Sequence, residues 1–331
     1  MALYVLDSTI LRLCHAQADL RIDGEQRKVD VCLTRSVYKT YGHGYGPTQG
    51  IFQSAATLSR QIPTPSTTHI EMPEPIIFYD IPSQGTALKA WSPNTWKTRY
   101  TLNIKGIPYK TVWVDYPDIE PLMRKIGALP TDTKANGAPH YTLPAIYDPN
   151  TKTALAESAL IAHYLDKTYP DTPRLIPAGT AALHAAFTQA FFTVLVKALL
   201  PITIPATADH LPPRSEAYFR ATREVIFGGP LQELAPPGPK REKHWAEVKK
   251  AFATFAQWLQ ADGVDKPFFL GDKIGYADVT VASFTVWIRI VLGEDSKEWA
   301  DLKTWDGGRW VTYMDAFKKY EYVDAGEAVV L

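Results

Sequence analysis

Cysteine is scarce in this chain of 331 residues, which contains only Cys14 and Cys32. Both precede residue 75, so the remainder of the chain can form neither a disulfide framework nor a cysteine-rich metal site. The sequence also lacks clusters of Cys and His at metal-ligand spacing, and His43, between two glycines, is isolated. We therefore expect no metal centre, and thiol chemistry after residue 75 requires a thiol that the protein does not supply.

An excess of charge of either sign is missing too. The 35 basic residues balance 35 acidic ones, which gives no electrostatic reason to expect nucleic acid or an anionic membrane as a partner. No apolar run reaches the roughly twenty residues that a bilayer-spanning helix needs. The first residues, Met1 to Asp7, carry an acid where a signal peptide has positive charge. Composition thus predicts a cytoplasmic protein, long enough for two domains.

A hydroxyl just before a proline is the most informative local feature. Ser92-Pro93 follows about ten residues after an apolar run at 76–81 that is typical of a strand. Pro93 suits the first helical position, which places Ser92 at the N-cap. A thiolate beside this hydroxyl would be stabilised by the hydrogen bond and by the positive end of the helix. The alternative is that Ser92-Pro93 is only a helix cap, since Ser-Pro starts many helices.

Strands and helices alternate as far as Pro170. After a helix from Pro93 to the C-cap Gly106, the predicted elements are a strand over 109–114, a helix over 118–127, strands over 141–147 and 153–155, and a helix that opens at Glu157-Ser158. Pro144 conflicts with a central strand. The conflict disappears if the Leu143-Pro144 bond is cis and turns the Leu143 backbone toward an extended peptide ligand.

The chain changes character on either side of this region. After Pro170 the apolar periodicity predicts only helices, over 181–200, 213–227, 241–261, 278–292 and 305–320. Residues 1–72 hold short apolar pieces and linker-like Pro, Ser and Thr, so we expect no stable domain there. That segment is predicted to be a disordered or mis-annotated extension, because Met72 resembles a natural chain start; a regulatory tail is the alternative.

Four motifs in order resemble those of glutathione transferases. They are Ser92-Pro93, Leu143-Pro144, Glu157-Ser158, and the Phe-Leu-Gly-Asp-Lys-Ile-Gly-Tyr-Ala-Asp segment at 269–278. The surroundings of Ser92 and the Val-Asp-Tyr-Pro-Asp-Ile-Glu-Pro run at 114–121 are most similar to fungal class A transferases of wood-rotting fungi, which are similar to bacterial β-aryl etherases. Where the family has a capping box, Gly275 replaces the usual hydroxyl and leaves only Asp278 to cap.

The resemblance covers about residues 75 to 320 and implies the glutathione transferase fold. That fold has an α/β thioredoxin-like N-terminal domain, expected over 73–172, and an all-α C-terminal domain, expected over 173–331. The resemblance also implies glutathione as cosubstrate, with Ser92 donating a hydrogen bond to its sulfur. Ser92 and Thr95 stand where a redox thioredoxin has two Cys, so exchange through a protein-bound mixed disulfide is excluded at that site.

The remaining site residues follow from the same resemblance. Glu157 and Ser158 would hold the γ-glutamyl group, and Leu143 with Pro144 the cysteinyl backbone. Lys134, His140 and Tyr141 are unranked candidates for the glycyl carboxylate.

The acceptor pocket is predicted mainly from aromatic residues. The predicted pocket residues are Trp96, Asn94 and Phe191. Among them Trp96 has the strongest basis, because it lies one helical turn from Ser92. Trp91, Phe192 and Trp287 are further candidates for its walls. Arg99 is expected to be a structural charge rather than a catalytic group.

Two functions of different classes remain open. The first is a Ser-type glutathione transferase that conjugates hydrophobic aromatic electrophiles, reduces peroxides or cleaves activated ethers, in the detoxification of xenobiotics or wood compounds. The second is a ligandin-like binding protein that sequesters plant polyphenols with little turnover. A non-enzymatic interaction protein of transferase fold is a third alternative. The resemblance implies a homodimer.

Overall fold

The computed structural model describes residues 16–22, 25–31, 74–134 and 136–331. Its first unit is an antiparallel hairpin of β1 (Ala16–Ile22) and β2 (Glu25–Val31). The hairpin was not expected, because composition predicted no stable domain over 1–72. Asp23-Gly24 between the two strands is a strong two-residue turn signal, which explains the pairing. The rest of that prediction, including the linker-like stretch, lies outside the described residues.

A five-stranded sheet forms the base of the first domain. After the hairpin, the strands are β3 (Ile76–Asp80), β4 (Tyr109–Trp113), β5 (Asp132–Thr133), β6 (Pro139–His140), β7 (Ala145–Asp148), β8 (Thr153–Ala156) and β9 (Glu327–Ala328). The sheet has the order β8-β7-β3-β4-β9, and β5 pairs only with β6. Strand β3 runs parallel to β4 and antiparallel to β7. This mixed sheet is the thioredoxin-like core that the resemblance implied.

Ten helices accompany the sheet in the described part of the chain. They are α1 (Pro93–Lys105), α2 (Ile119–Ile126), α3 (Ser158–Thr168), α4 (Ala181–Phe191), α5 (Lys197–Ala208), α6 (Pro213–Phe227), α7 (Pro239–Leu259), α8 (Tyr276–Leu292), α9 (Lys297–Thr304) and α10 (Arg309–Phe317). A π-helical turn, Phe192–Val196, joins α4 to α5. The predicted all-helical second domain is thus present, although α9 was not predicted.

Local signals set the bounds of several elements. Ser92 is the N-cap of α1 and Pro93 its first residue, while Gly106 ends the helix with a φ of 65°. Strand β7 begins at Ala145 rather than at Tyr141 as predicted, because Pro144 has no N–H for the ladder. The Leu143-Pro144 bond is cis, as predicted.

The stretch Ala181–Ala208 is helical throughout. By length and composition alone it could cross a membrane, with 28 residues and a mean hydropathy of 1.7 in its most apolar window, of which 61% is buried inside the protein. Its apolar residues are interrupted by His184, Gln189 and Lys197, so no uninterrupted run of that length is seen in the sequence. Within the protein the stretch supplies core residues such as Leu195 and Leu199.

The C-terminal residues return to the first domain as a strap, residues 320–329. The Thr111 N–H donates to Asp324 at 2.8 Å, and the Trp113 indole donates to the Ala325 carbonyl at 2.8 Å. Strand β9 then pairs in parallel with β4. Gly326 has a φ of 60°, and a Cβ there would lie 2.8 Å from the Thr111 carbonyl oxygen. The strap therefore covers the edge of the sheet that β4 would otherwise expose.

A buried ion pair anchors α1 between the sheet and the strap. The Arg99 guanidinium donates to Asp80 at 2.8 Å and reaches Asp324 at 3.4 Å. Arg99 and Asp80 are both fully buried. Arg99 does not line the cavity described below, so its contacts are those of a structural charge, as expected.

Candidate active site

A cavity of about 750 Å³ lies between the sheet domain and the helical domain. Its first wall, from the sheet domain, consists of Ile81, Trp91, Ser92, Pro93, Asn94, Tyr116, Pro117, Ile119, Glu120, Pro121, Arg124, Lys134, His140, Tyr141, Thr142 and Leu143. Its second wall, from the helical domain, consists of Ile204, Tyr218, Phe219, Thr222, Arg223 and Trp287. The predicted nucleophile-activating residue, Ser92, thus lies in a cleft between two domains, where ligand sites are common.

The Ser92 hydroxyl is placed for a ligand rather than for capping. Its backbone is extended, with φ −65° and ψ 128°, and its carbonyl accepts the first helical hydrogen bond from Trp96 N at 2.9 Å. Among the described residues, however, nothing forms a hydrogen bond with the hydroxyl. The side chain therefore offers an uncommitted donor beside the N-terminal N–H groups of α1, where negative charge is stabilised.

Two further polar atoms near Ser92 lack partners. Asn94 Oδ1 and Trp91 Nε1 are buried and have no hydrogen-bond partner in the part of the chain that the structure describes. Both residues line the cavity. A buried polar atom without a partner costs about 1 to 3 kcal/mol, so a molecule that binds in the cavity and bonds to these atoms would offset that cost. Thr95 differs: its hydroxyl donates to the Ser92 carbonyl at 3.1 Å, and it does not line the cavity.

Leu143 presents its backbone at the cavity, and Glu157 and Ser158 lie next to it. Leu143 lines the cavity, and its backbone forms no hydrogen bond with the described residues. The Glu157 N–H donates to the Pro144 carbonyl at 3.3 Å. Pro144, Glu157 and Ser158 are not themselves part of the cavity lining. The structure thus brings Leu143 to Ser92 and connects the Glu157-Ser158 pair to that site through Pro144.

Glu157 has an unusual backbone for a residue with a side chain. It is the N-cap of α3 with a φ of 81°, and its carboxylate accepts from Ala159 N at 3.0 Å and from Leu160 N at 2.9 Å. Positive φ at a non-glycine residue is strained and is found most often at functional sites. The sequence did not predict that the Glu157 carboxylate accepts hydrogen bonds from these two amides of the helix start.

The three candidates for the glycyl carboxylate, Lys134, His140 and Tyr141, all line the cavity. Lys134 Nζ lies 2.9 Å from Glu120, which also accepts from Arg124 at 2.9 Å. The hydrogen bonds from Lys134 and then Arg124 lower the pKa of Glu120. Burial, and next the charge of Lys134, lower the pKa of His140, so this imidazole is neutral at pH 7. Lys134 therefore supplies the positive charge among the three.

Trp96 and Phe191 are corrected from pocket residues to core residues. Trp96 is fully buried, and its indole donates to the Ala90 carbonyl at 3.2 Å. Its ring packs on Tyr100, with 4.8 Å between centroids. Phe191 is fully buried and packs on Phe255 at 5.2 Å. One turn along α1 from Ser92, the Trp96 side chain is therefore part of the core and does not line the cavity. Of the three predicted pocket residues, only Asn94 lines the cavity; of the three further candidates, Trp91 and Trp287 line it and Phe192 does not.

Four of the wall residues that the sequence did not predict lie on α6. Tyr218, Phe219, Thr222 and Arg223 line the cavity and recur with a spacing of one and four residues, which places them on one helical face. The helix itself was predicted over the correct residues, 213–227. Its aromatic face is the signal that was available in the sequence, but the sequence does not show which element this face meets.

Comparisons with known proteins match both domains. A family model described as glutathione S-transferase, N-terminal domain, matches residues 91–168, and one described as glutathione S-transferase, C-terminal domain, matches residues 182–320. A glutathione S-transferase-like protein of Aspergillus flavus, ustS, is 38% identical over 227 residues, which are 64% of this chain and 80% of that protein.

Solved structures are similar over the same region. A glutathione S-transferase of Ceriporiopsis subvermispora in complex with glutathione is 55% identical, with a TM-score of 0.74 over 76% of this chain and 100% of that chain. Glutathione transferase GSTFuA3 of Phanerochaete chrysosporium is 44% identical, with a TM-score of 0.73 over 76% of this chain and 100% of that chain.

Proposed function

Because the chain belongs to the glutathione S-transferase family, we propose that the Ser92 hydroxyl activates the thiol of glutathione for attack on hydrophobic aromatic electrophiles. Glutathione is the cosubstrate. The observation that carries the proposal is the Ser92 hydroxyl itself, which lies on the cavity wall at the start of α1 without a hydrogen bond to any described residue. A donor in that position can serve a ligand.

The chemistry follows from that position. Ser92 donates a hydrogen bond to the glutathione sulfur, and the positive end of α1 adds to it, so that both favour the thiolate over the thiol. The proton leaves to solvent on binding. The thiolate then attacks an electrophilic carbon of the acceptor, the new C–S bond forms, and the leaving group departs with its bonding electrons. The hydroxyl remains a donor and does not attack.

The rest of the tripeptide binds at the first wall and at the neighbouring helix start, Glu157-Ser158. Its cysteinyl backbone pairs with Leu143, and its γ-glutamyl end reaches the amides and side chains of Glu157 and Ser158. Its glycyl carboxylate meets Lys134, whose present partner is Glu120. Such a pose also supplies partners for Asn94 Oδ1, which has none among the described residues.

We place this activity in the detoxification of xenobiotic or wood-derived aromatic compounds by a cytoplasmic homodimer. Reduction of peroxides and cleavage of activated β-aryl ethers are side activities open to the same thiolate. The second candidate is a ligandin-like protein, favoured by the aromatic lining of the cavity, to which Trp91, Trp287, Tyr218 and Phe219 contribute. Saturable polyphenol binding with negligible conjugation would favour this second function.

Ser92→Ala tests the proposal. A hydrogen bond to a charged group contributes about 1.5 to 3 kcal/mol, so the variant should raise the pKa of the bound thiol by about one to two and slow conjugation about tenfold or more at neutral pH. Glutathione affinity should change little. The readouts are the thiolate absorbance of the bound thiol against pH and the rate with a halo-arene.

Thr95→Val is the matched control. It removes a hydroxyl from the same helix, but that hydroxyl is bonded to the Ser92 carbonyl and lies outside the cavity. Its thiol pKa should equal that of the wild type. If Ser92→Ala leaves both the thiol pKa and the rate unaltered, Ser92 has no part in the mechanism, and Asn94 becomes the next candidate.

A further inference from the structure

The second wall of the cavity carries a cation, Arg223 on α6. This side chain lines the cavity, although only 4% of the residue is exposed. Its guanidinium carbon lies 4.4 Å from the ring centroid of Phe219 and 5.0 Å from that of Tyr116. Its Nη1 donates to Thr222 Oγ1 at 2.8 Å. The two rings and the hydroxyl therefore hold the plane of the guanidinium at the cavity wall.

The charges around the cavity are unequal. Among the described lining residues, Arg124, Lys134 and Arg223 are cations and Glu120 is an anion. Glu120 accepts hydrogen bonds from both Arg124 and Lys134. Burial raises the pKa of Tyr116 to about 12, so this phenol beside Arg223 stays neutral. Among the described lining residues, cations thus outnumber anions, and one of these cations lies on the second wall.

We propose that Arg223 selects aromatic acceptors that carry an acidic group. The ring of such a ligand would pack against Phe219 and Tyr218, and its carboxylate or sulfonate would accept from the guanidinium. Tyr218 stands close to Tyr116, with 6.0 Å between their centroids and 13° between their planes, so these rings present parallel aromatic surfaces. The inference rests on the proposed function, because it assigns the second wall to the acceptor of that reaction.

Arg223 lines the same cavity as Lys134 and His140, two of the candidates for the glycyl carboxylate. The experiment must therefore separate an acceptor anion from the carboxylates of glutathione. A suitable probe pair is 2-naphthoate and 2-naphthamide, which share ring system and size and differ in charge. Their binding to the full-length protein can be followed by quenching of tryptophan fluorescence, because Trp91 and Trp287 line the cavity.

The wild type should bind naphthoate about tenfold more tightly than naphthamide, as expected for one charge-assisted hydrogen-bonded contact. Arg223→Gln should remove this preference and leave naphthamide affinity nearly unchanged. Arg220→Gln is the matched control. It lies on the same helix, is paired with Glu216 and Asp209, and does not line the cavity. Its preference for naphthoate should equal that of the wild type.

Equal affinity of the wild type for both probes would overturn the inference. So would an Arg223→Gln variant that keeps the preference for naphthoate, or one whose affinity for both probes falls by the same factor. A loss of glutathione affinity with an intact preference would also do so, because it would assign Arg223 to the tripeptide. Should Arg223→Gln fail to fold, Arg223→Lys must retain the preference, since the charge persists. Retention of each protein on immobilised glutathione reports separately on the proposed function.

Discussion

The two walls of the cavity are built in different ways. On the first wall, Ser92 and Leu143 are placed by their own neighbours in sequence, Pro93 and Pro144. The second wall combines one face of α6 with Ile204 from α5 and Trp287 from α8. The hydroxyl proposed to activate the thiol thus depends on local backbone geometry, whereas the surface proposed to meet the acceptor depends on how distant helices pack. The contrast predicts that changes in the helical domain act first on stability and changes on the first wall act first on glutathione.

Asp278→Ala should have the largest effect and tests the structural side of this contrast. The fully buried Asp278 accepts from Gly275 N at 2.8 Å, Phe269 N at 3.0 Å and the Tyr313 hydroxyl at 2.9 Å. Its removal leaves these donors unpaired, so the free energy of unfolding should fall by about 3 to 5 kcal/mol in urea titrations. Exposed Asp272→Ala is the control and should match the wild type. Equal stability of both variants would show that α8 does not need this cap.

The same residue predicts a pH dependence. Burial raises the pKa of Asp278 to about 6, above its value of about 3.9 in an unfolded chain. The folded state therefore binds the proton more tightly, and this contribution to stability is complete below about pH 4 and lost as the pH rises through 6. The stability difference between the wild type and Asp278→Ala should thus shrink between pH 4 and pH 7. A difference that grows with pH would mean that the ionised carboxylate is the stabilising form.

Replacing Glu157 and Ser158 together by Ala tests the helix start that adjoins the first wall through Pro144. Glutathione binding should weaken by about 2 to 3 kcal/mol, measured by calorimetry, because the γ-glutamyl group loses charge-assisted hydrogen bonds. Ser296→Ala is the control, since it removes an N-cap hydrogen bond to Trp299 N, at 3.1 Å, in the helical domain. It should lower stability slightly and leave glutathione affinity unchanged. Full retention of the double variant on immobilised glutathione would contradict the assignment of the γ-glutamyl group to this helix start.

Gly326→Ala tests the strap that joins the end of the chain to the first domain. Its Cβ would lie 2.8 Å from the Thr111 carbonyl oxygen at a φ of +60°, whereas Gly263 has a φ of +81° and nothing within 4 Å of an added Cβ. Both alanine variants incur a backbone cost of about 1 kcal/mol. Gly326→Ala should lose about 1 to 2 kcal/mol more through overpacking, seen as a lower Tm. Equal Tm values would mean that the strap moves aside freely.

Deletion of residues 1–71 should have the smallest effect. Among the described residues, the cavity lining begins at Ile81, and the linker-like composition of the segment predicts little contribution to a neighbouring core. Melting temperature, glutathione binding and conjugation rate should stay close to those of the full chain. A deletion variant that unfolds would show that the segment packs on the transferase body and that neither wall is independent of it.

Much of the first wall could be predicted because its signals are short. Pro93 sets the start of α1, Gly106 ends it, and Pro144 delays β7. Glu157 was predicted as a γ-glutamyl ligand, yet its bonds to Ala159 N and Leu160 N required the structure. Which aromatic side chains line the cavity was harder to predict, for another reason. Trp91 and Trp96 look alike in the sequence, but only Trp91 reaches the cavity.

By itself, the sequence determined the motif positions, most helices and the strands β3, β4, β7 and β8, since capping, proline geometry and apolar periodicity act over a few residues; the hairpin of β1 and β2, strand β9 and helix α9 were not predicted from it. Tertiary structure alone decided which side chains share the cavity. It placed Trp287 beside α5, where its indole donates to Thr207 Oγ1 at 3.0 Å across 80 residues of chain. It also brought Asp324 to Arg99, 225 residues away. Such contacts arise from packing between distant elements, and no local pattern encodes which helical face will meet which sheet edge.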